Sequence, residues 1–199
     1  MSVQEKLVYP PGVRDITEDV STDDLVRRLK ECAHAFQNMS QDDDNSAYIP
    51  LALHLASETF LEHRSRDVRL LVACCIADVF RVYAPEAPYK DITQLKDIFE
   101  FFVDQMKGLE NPQNPSFKRY FYLLENLTCV KTFNICFELE DSQKILCRLF
   151  HLMFKIIKFV FIDHFLFLCQ NDEPSFHVFI FIANKEMYTS DVYVVLVFD

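Results

Sequence analysis

At 199 residues, half of them apolar, the chain carries ample material for a hydrophobic core and fits one domain or a slice of something longer. The formal charge is −10 and lysine and arginine are not gathered anywhere into a run, which argues against direct binding to nucleic acid. Only two glycines occur, Gly12 and Gly108, too few for phosphate-cradling loops or a hairpin-rich β architecture, so helices are expected.

The opening Leu7–Val13 holds two prolines and a glycine and reads as extended, part of an N-terminal segment over residues 1–20. Ser21-Thr-Asp-Asp24 then offers a capping hydroxyl and early acidic charge. Behind it Leu25, Val26, Leu29, Cys32, Ala33, Phe36 and Met39 form one apolar stripe, which predicts a helix over Thr22–Met39. Gln41–Ser46, with three consecutive aspartates, reads as a solvated loop and lacks the Gly and Glu of a calcium loop. A second helix is expected over Ala47–Glu62, with Pro50 in its first turn.

Ser65 opens a third helix running to Tyr83, with Val68, Leu71, Val72, Cys75, Ile76, Val79 and Phe80 on its buried side. A fourth is predicted over Thr93–Lys107, capped by Asp91 with Gln94 and ended by Gly108. After the Asn111–Pro115 turn, a fifth spans Ser116–Thr128, with a short continuation over Val130–Phe137. Asp141-Ser142 cap a sixth, whose stripe runs through Ile145, Leu149, Met153 and Ile157.

Helices of this length joined by short connections pack as antiparallel pairs. The second and fourth, marked at Tyr48 and Ile92, begin about 44 residues apart, within the period of HEAT or armadillo repeats. Asp67-Val-Arg69 at the start of a helix also suits a HEAT repeat. The expected fold is all-α, a HEAT-repeat-like α-α solenoid over residues 21–157, and an irregular helical domain is the other architecture that this spacing admits.

From Lys158 to Asp199 the pattern changes: 8 of the chain's 20 phenylalanines fall in these 42 residues. Phe176–Ile182 and Val192–Phe198 have the β-branched and aromatic content of strands, so residues 158–199 are expected to form a short β-like or disordered tail foreign to the helical design. Ile145–Cys169 is very apolar, but Arg148, Lys155, Lys158 and Asp163 interrupt it, and no membrane span is expected.

Chemistry has little to work with. Seven cysteines, an odd number and mostly on apolar helical positions, suit a reducing cytosolic or nuclear compartment, and Met1–Pro10 has no signal-peptide core. Cys147 and His151 stand four apart on a helix but have no companion pair, and Cys74 and Cys75 diverge, so neither metal nor cofactor is expected. No nucleophile elbow, P-loop or HExxH occurs, and no enzyme is expected.

The informative run is Tyr83-Ala84-Pro85-Glu86-Ala87-Pro88-Tyr89, preceded by Arg81. Two prolines three apart stiffen the backbone, and a stiff ledge with aromatic edges loses little entropy on receiving an extended peptide. The same residues also read as a helix stop followed by a turn.

Leu7–Val13 (LVYPPGV), Pro50–Glu58 (PLALHLASE), Asp67–Tyr89 (DVRLLVACCIADVFRVYAPEAPY) and Arg119–Asp141 (RYFYLLENLTCVKTFNICFELED) closely resemble the N-terminal part of the sister-chromatid cohesion regulators called precocious dissociation of sisters protein five. The resemblance covers about Leu7–Ile157. It implies a nuclear, chromatin-associated, non-enzymatic scaffold that works with the cohesin complex and its kleisin. At Ala84, Pro85, Glu86, Ala87 and Pro88 it implies a surface for short aromatic motifs of the cohesin release factor, of a maintenance factor or of an acetyltransferase. The later repeats that hold the kleisin, and the pocket for inositol hexakisphosphate, lie beyond the resemblance. A monomer is expected; the other architecture-level reading is a generic HEAT adaptor of transport or phosphatase type.

Overall fold

The computed structural model describes residues 7–139 and 142–171, with side chains of the last helix as far as Ile156, and every regular element among them is helical. The seven α-helices are α1 (Thr22–Gln37), α2 (Ile49–Leu55), α3 (Glu58–Leu61), α4 (Arg66–Val82), α5 (Ile92–Met106), α6 (Phe117–Cys129) and α7 (Ser142–Asn171), with 3-10 turns at Ser46–Tyr48, Lys107–Glu110 and Thr132–Glu138. Packing divides the chain into a unit ending at Leu146 and another beginning at Cys147.

The first unit starts with a turn in which the Val13 amide donates to the Pro10 carbonyl at 3.0 Å. Gly12 sits at φ +83°, the left-handed position that such a turn demands. Tyr9 and Ile16 then lock the segment: the Ile16 amide donates to the Tyr9 hydroxyl at 3.0 Å, and the Ile16 side chain is fully buried.

Three helix starts follow their sequence signals. Ser21 accepts from the Asp24 amide at α1, Ser65 from the Val68 amide at α4, and Asp91 from the Thr93 and Gln94 amides at α5. Each supplies an acceptor to amides that have no partner inside the helix.

α4 is the centre of the first unit. It packs against α1, α2, α3, α5 and α6, and Leu70 through Phe80 are all buried, so this helix is buried on every side and apolar there except at Asp78. α1 and α6 flank it. The bonds between these three helices join residues separated by similar stretches of sequence: Arg81 to Phe36 is 45 apart, Cys75 to Leu29 is 46, Tyr122 to Asp78 is 44 and Asn126 to Asp78 is 48. That interval is the repeat of a helical solenoid expressed in side-chain contacts.

A phenylalanine cluster fills the space between α4 and α5. Phe80 lies 5.9 Å from Phe99 and 6.0 Å from Phe102, ring centre to ring centre, and Phe99 also meets Phe133 at 5.8 Å. Beyond α5 the chain turns at Gly108, where an added Cβ would meet the Tyr120 ring at 2.3 Å; this turn of chain and α6 approach as closely as glycine allows.

The predicted second helix is broken. Ala56 ends α2, and Ser57, at φ −75° and ψ 153°, is extended and starts α3. The break turns Phe60 into the core, where it is fully buried and meets the His54 ring edge-on at 5.0 Å. The expected continuation after α6 is 3-10, entered through Lys131 at φ 52°.

In the second unit Leu149, Leu152 and Met153 are buried, and Cys147, His151 and Phe154 are exposed. The boundary expected at residue 157 falls inside α7, whose backbone stays helical to Asn171. The capping residue Asp141 and the strands expected at residues 176–182 and 192–198 lie outside the described residues. No helix among the described residues is long and apolar enough to cross a membrane.

Candidate docking ledge

Residues 83–91 connect α4 to α5, and residues 38–45 lead out of α1. Arg81 brings the two connections together. From the last turn of α4 its guanidinium donates to the Phe36 carbonyl at 2.7 Å, to Gln37 at 3.3 Å and to Met39 at 3.1 Å. These carbonyls belong to the C-terminal end of α1 and the residues just beyond it, where backbone acceptors lack helical partners and the helix dipole favours a cation.

Two further tethers cross the same gap. The Tyr83 hydroxyl donates to the Asn45 carbonyl, and the Gln41 amide donates to the Ala84 carbonyl. Asn45, itself buried, donates to the Ser40 and Asp43 carbonyls at 2.8 and 3.1 Å and so stiffens the loop that receives Tyr83. Burial, then the neighbouring Tyr48 and Asp44, pushes the Tyr83 phenol up to about 12, so it remains a donor throughout the neutral range.

A buried polar cluster lies behind Arg81. Asp78 is fully buried; its Oδ1 accepts from the Tyr122 hydroxyl at 2.7 Å, from the Asn126 amide at 2.9 Å and from Arg81 Nε at 3.4 Å. Burial raises the Asp78 carboxyl above its usual range, and Tyr122, Arg81 and Asn126 pull in the opposite direction. Oδ2 has no hydrogen-bond partner among the described residues. This cluster ties α4 to α6 and aims Arg81 at α1.

Within the run, Pro85 and Glu86 are exposed, Tyr83, Ala84, Ala87 and Pro88 are half-buried, and the Ala84–Pro85 peptide bond is cis. Lys90 pairs with Glu86 at 3.0 Å, both in the open. Ile92, one residue past the Asp91 cap, is 62% exposed.

Tyr89 is placed differently from the expectation of two aromatic edges. It is 3% exposed, stacks against Phe80 at 5.3 Å and donates its hydroxyl to the Ala52 carbonyl at 3.3 Å. Its ring anchors the ledge from below and offers no contact to a partner. Gln41 and Asn45 meet the run at Ala84 and Tyr83 and were not marked by the sequence; they come to it because α1 and α4 lie side by side. Asp42, Asp43 and Asp44 are exposed, as expected of a solvated loop, and Asp44 lies near enough to Tyr83 to act on its phenol.

Cys32, Cys74, Cys75 and Cys136 are buried, and Cys129 and Cys147 are exposed. Cys74 points to the Arg119 carbonyl on α6 and Cys75 to the Leu29 carbonyl on α1. Burial pushes the Cys74 thiol up to about 12, and the Cys75 thiol is raised by its hydrogen bond with Cys32 and by burial. No group of three metal-ligating side chains stands together among the described residues.

A helical repeat stack with one end tied into a rigid loop is the architecture of an α-α solenoid scaffold of the HEAT type. Comparison with known proteins gives the family. A family model described as the sister chromatid cohesion protein PDS5 matches residues 23–160. The chain belongs to this PDS5 family. It is 55% identical over 159 residues to sister chromatid cohesion protein PDS5 homolog A of Mus musculus and of Homo sapiens, a match covering 79% of this chain and 12% of each relative. To PDS5 homolog B of Gallus gallus it is 54% identical over 154 residues, covering 76% of this chain and 11% of that relative. A solved structure of the Pds5-Scc1 complex, discussed for its implications for cohesin function, superposes with a TM-score of 0.64 at 29% identity over 76% of this chain and 22% of that one. The chain thus spans about 12% of the length of the curated relatives it matches.

Proposed function

We propose that this chain is a docking part of a cohesin-associated regulator of sister-chromatid cohesion, working in the nucleus on chromatin as a non-enzymatic scaffold. Short aromatic motifs of the cohesin release factor, of a maintenance factor or of an acetyltransferase dock on the ledge around Pro85, Glu86 and Pro88. Family membership and the likeness to Pds5 in its complex with Scc1 support the cohesin setting.

The observation that carries the ledge is its preorganisation. Tyr83, Gln41 and Arg81 tether both of its sides to backbone carbonyls of the neighbouring segment, so Pro85 and Glu86 are presented to solvent on a backbone that is already ordered. A partner peptide then meets a surface with little ordering entropy left to lose. Tyr89 takes part only as the support beneath.

Fluorescence anisotropy with labelled aromatic-motif peptides and the full 199-residue chain tests the assignment. Pro85→Leu is expected to weaken binding by about tenfold, the factor that separates affinities by 1.4 kcal/mol. Equal binding by both forms rejects the ledge as the site.

A further inference from the structure

A second concave surface lies away from the ledge, over α4 between α1 and α6, and encloses about 440 Å³. α1 supplies Lys30 and His34, four residues apart and both exposed; α6 supplies Lys118, Arg119 and Tyr122. The floor is apolar: Leu71 and Cys74 are 1% and 2% exposed. No residue of the 83–89 run takes part, and no carboxylate lines the groove.

The lining of this groove collects cations without a carboxylate, although the chain as a whole is acidic. Net charge is −10, and Arg14, Arg28, Arg81, Lys90 and Lys107 each hold a carboxylate. Lys30, Lys118 and Arg119 have no ion-pair partner among the described residues. Asp78 is the carboxylate behind the wall, and its Oδ1 is already taken by Tyr122, Asn126 and Arg81. Three cations lining one hollow above an apolar floor concentrate a positive potential there.

We propose that this groove docks a short acidic segment of a partner protein, with carboxylates on Lys30, Lys118 and Arg119 and an apolar side chain over Leu71 and Cys74. The volume falls within the range of about 300–1,000 Å³ typical of clefts that take small ligands or a few side chains. Duplex DNA fits less well, because its affinity comes from neutralising many phosphates and the rest of this chain is acidic. Arg119 can grip a carboxylate through two parallel N–H bonds, which gives the groove orientation as well as attraction.

The test is anisotropy with a fluorescein-labelled peptide of alternating Glu and Leu, measured on the full chain. Its affinity is expected to exceed that of the matching Gln/Leu peptide and of a DNA duplex of equal charge by about tenfold. The double variant Lys30→Glu with Arg119→Glu should abolish that preference, and Lys118→Glu alone should weaken it by several-fold. Each variant is checked for unchanged helical circular dichroism and melting. Pro85→Leu should bind the acidic peptide like the parent chain. Unchanged binding by folded charge-reversal variants, tighter binding of the duplex, or loss of binding in Pro85→Leu would each overturn the assignment.

Discussion

The interior between α4 and α5 and the ledge that joins those two helices are adjacent in sequence and are held by different forces. Inside, Phe80, Phe99 and Phe102 meet face to edge or at a tilt, and stability comes from buried apolar area. At the ledge the half-exposed side chains contribute less burial, and order comes from directional bonds made by Arg81, Tyr83 and Gln41 to carbonyls of the neighbouring segment. Loss of one ring is felt across the whole core, whereas loss of one tether loosens one loop. The Asp78 cluster belongs to both regions, because it is buried in the stack and holds the arginine that reaches out to the loop.

Substitutions should separate these regimes by size. Phe102→Ala empties a fully buried site among three aromatic neighbours and is expected to destabilise the first unit by about 3–5 kcal/mol in denaturant titration, lowering the melting of α1 to α6 together. A change confined to the ledge would contradict the view of one shared interior.

Asp78→Ala removes the acceptor of the Tyr122 hydroxyl and the Asn126 amide and should destabilise by about 2–3 kcal/mol. The same residue gives stability a pH dependence of known sign. Burial raises its carboxyl, so the folded chain holds the proton to higher pH than the unfolded chain does. Between the ordinary carboxylate range and that raised value the contribution of Asp78 to stability falls as pH rises, and above both it is constant. Asp78→Asn should remove this falling component, and a parallel pH profile of chemical denaturation midpoints for parent and variant would disprove it.

The smallest effect is expected from Tyr83→Phe, which deletes one hydrogen bond worth about 1 kcal/mol. Amide exchange should speed up at Ala84, Glu86 and Ala87 while the α4 core keeps its protection. Uniform acceleration across α4 would show that the ledge is not a separate cooperative region.

Much of the fold was legible because its signals are local. Ser21, Ser65 and Asp91 each stand just before an apolar stripe, and each accepts the expected amides. The break at Ala56–Ser57 was legible only in part. Ser57-Glu58 has the form of a helix start, but the 3-and-4 spacing through Phe60 continues across it, and burial of Phe60 decides in favour of the break. The stiffness of the ledge could be read from Pro85 and Pro88, whereas the fate of its two tyrosines could not. Tyr83 and Tyr89 look alike beside a proline run; only Phe80 and the Ala52 carbonyl make one of them a core residue.

The amino-acid sequence by itself determined that this is a stack of amphipathic helices with a repeat near 44 residues and a stiffened connection after α4, because caps, prolines and apolar periodicity act over a few neighbouring residues. Tertiary structure alone decided which polar side chains share a surface. Gln41 meets Ala84, Tyr83 meets Asn45, and Lys30 faces Arg119 across α4 because helices one repeat apart lie side by side, which brings together residues that no local pattern connects.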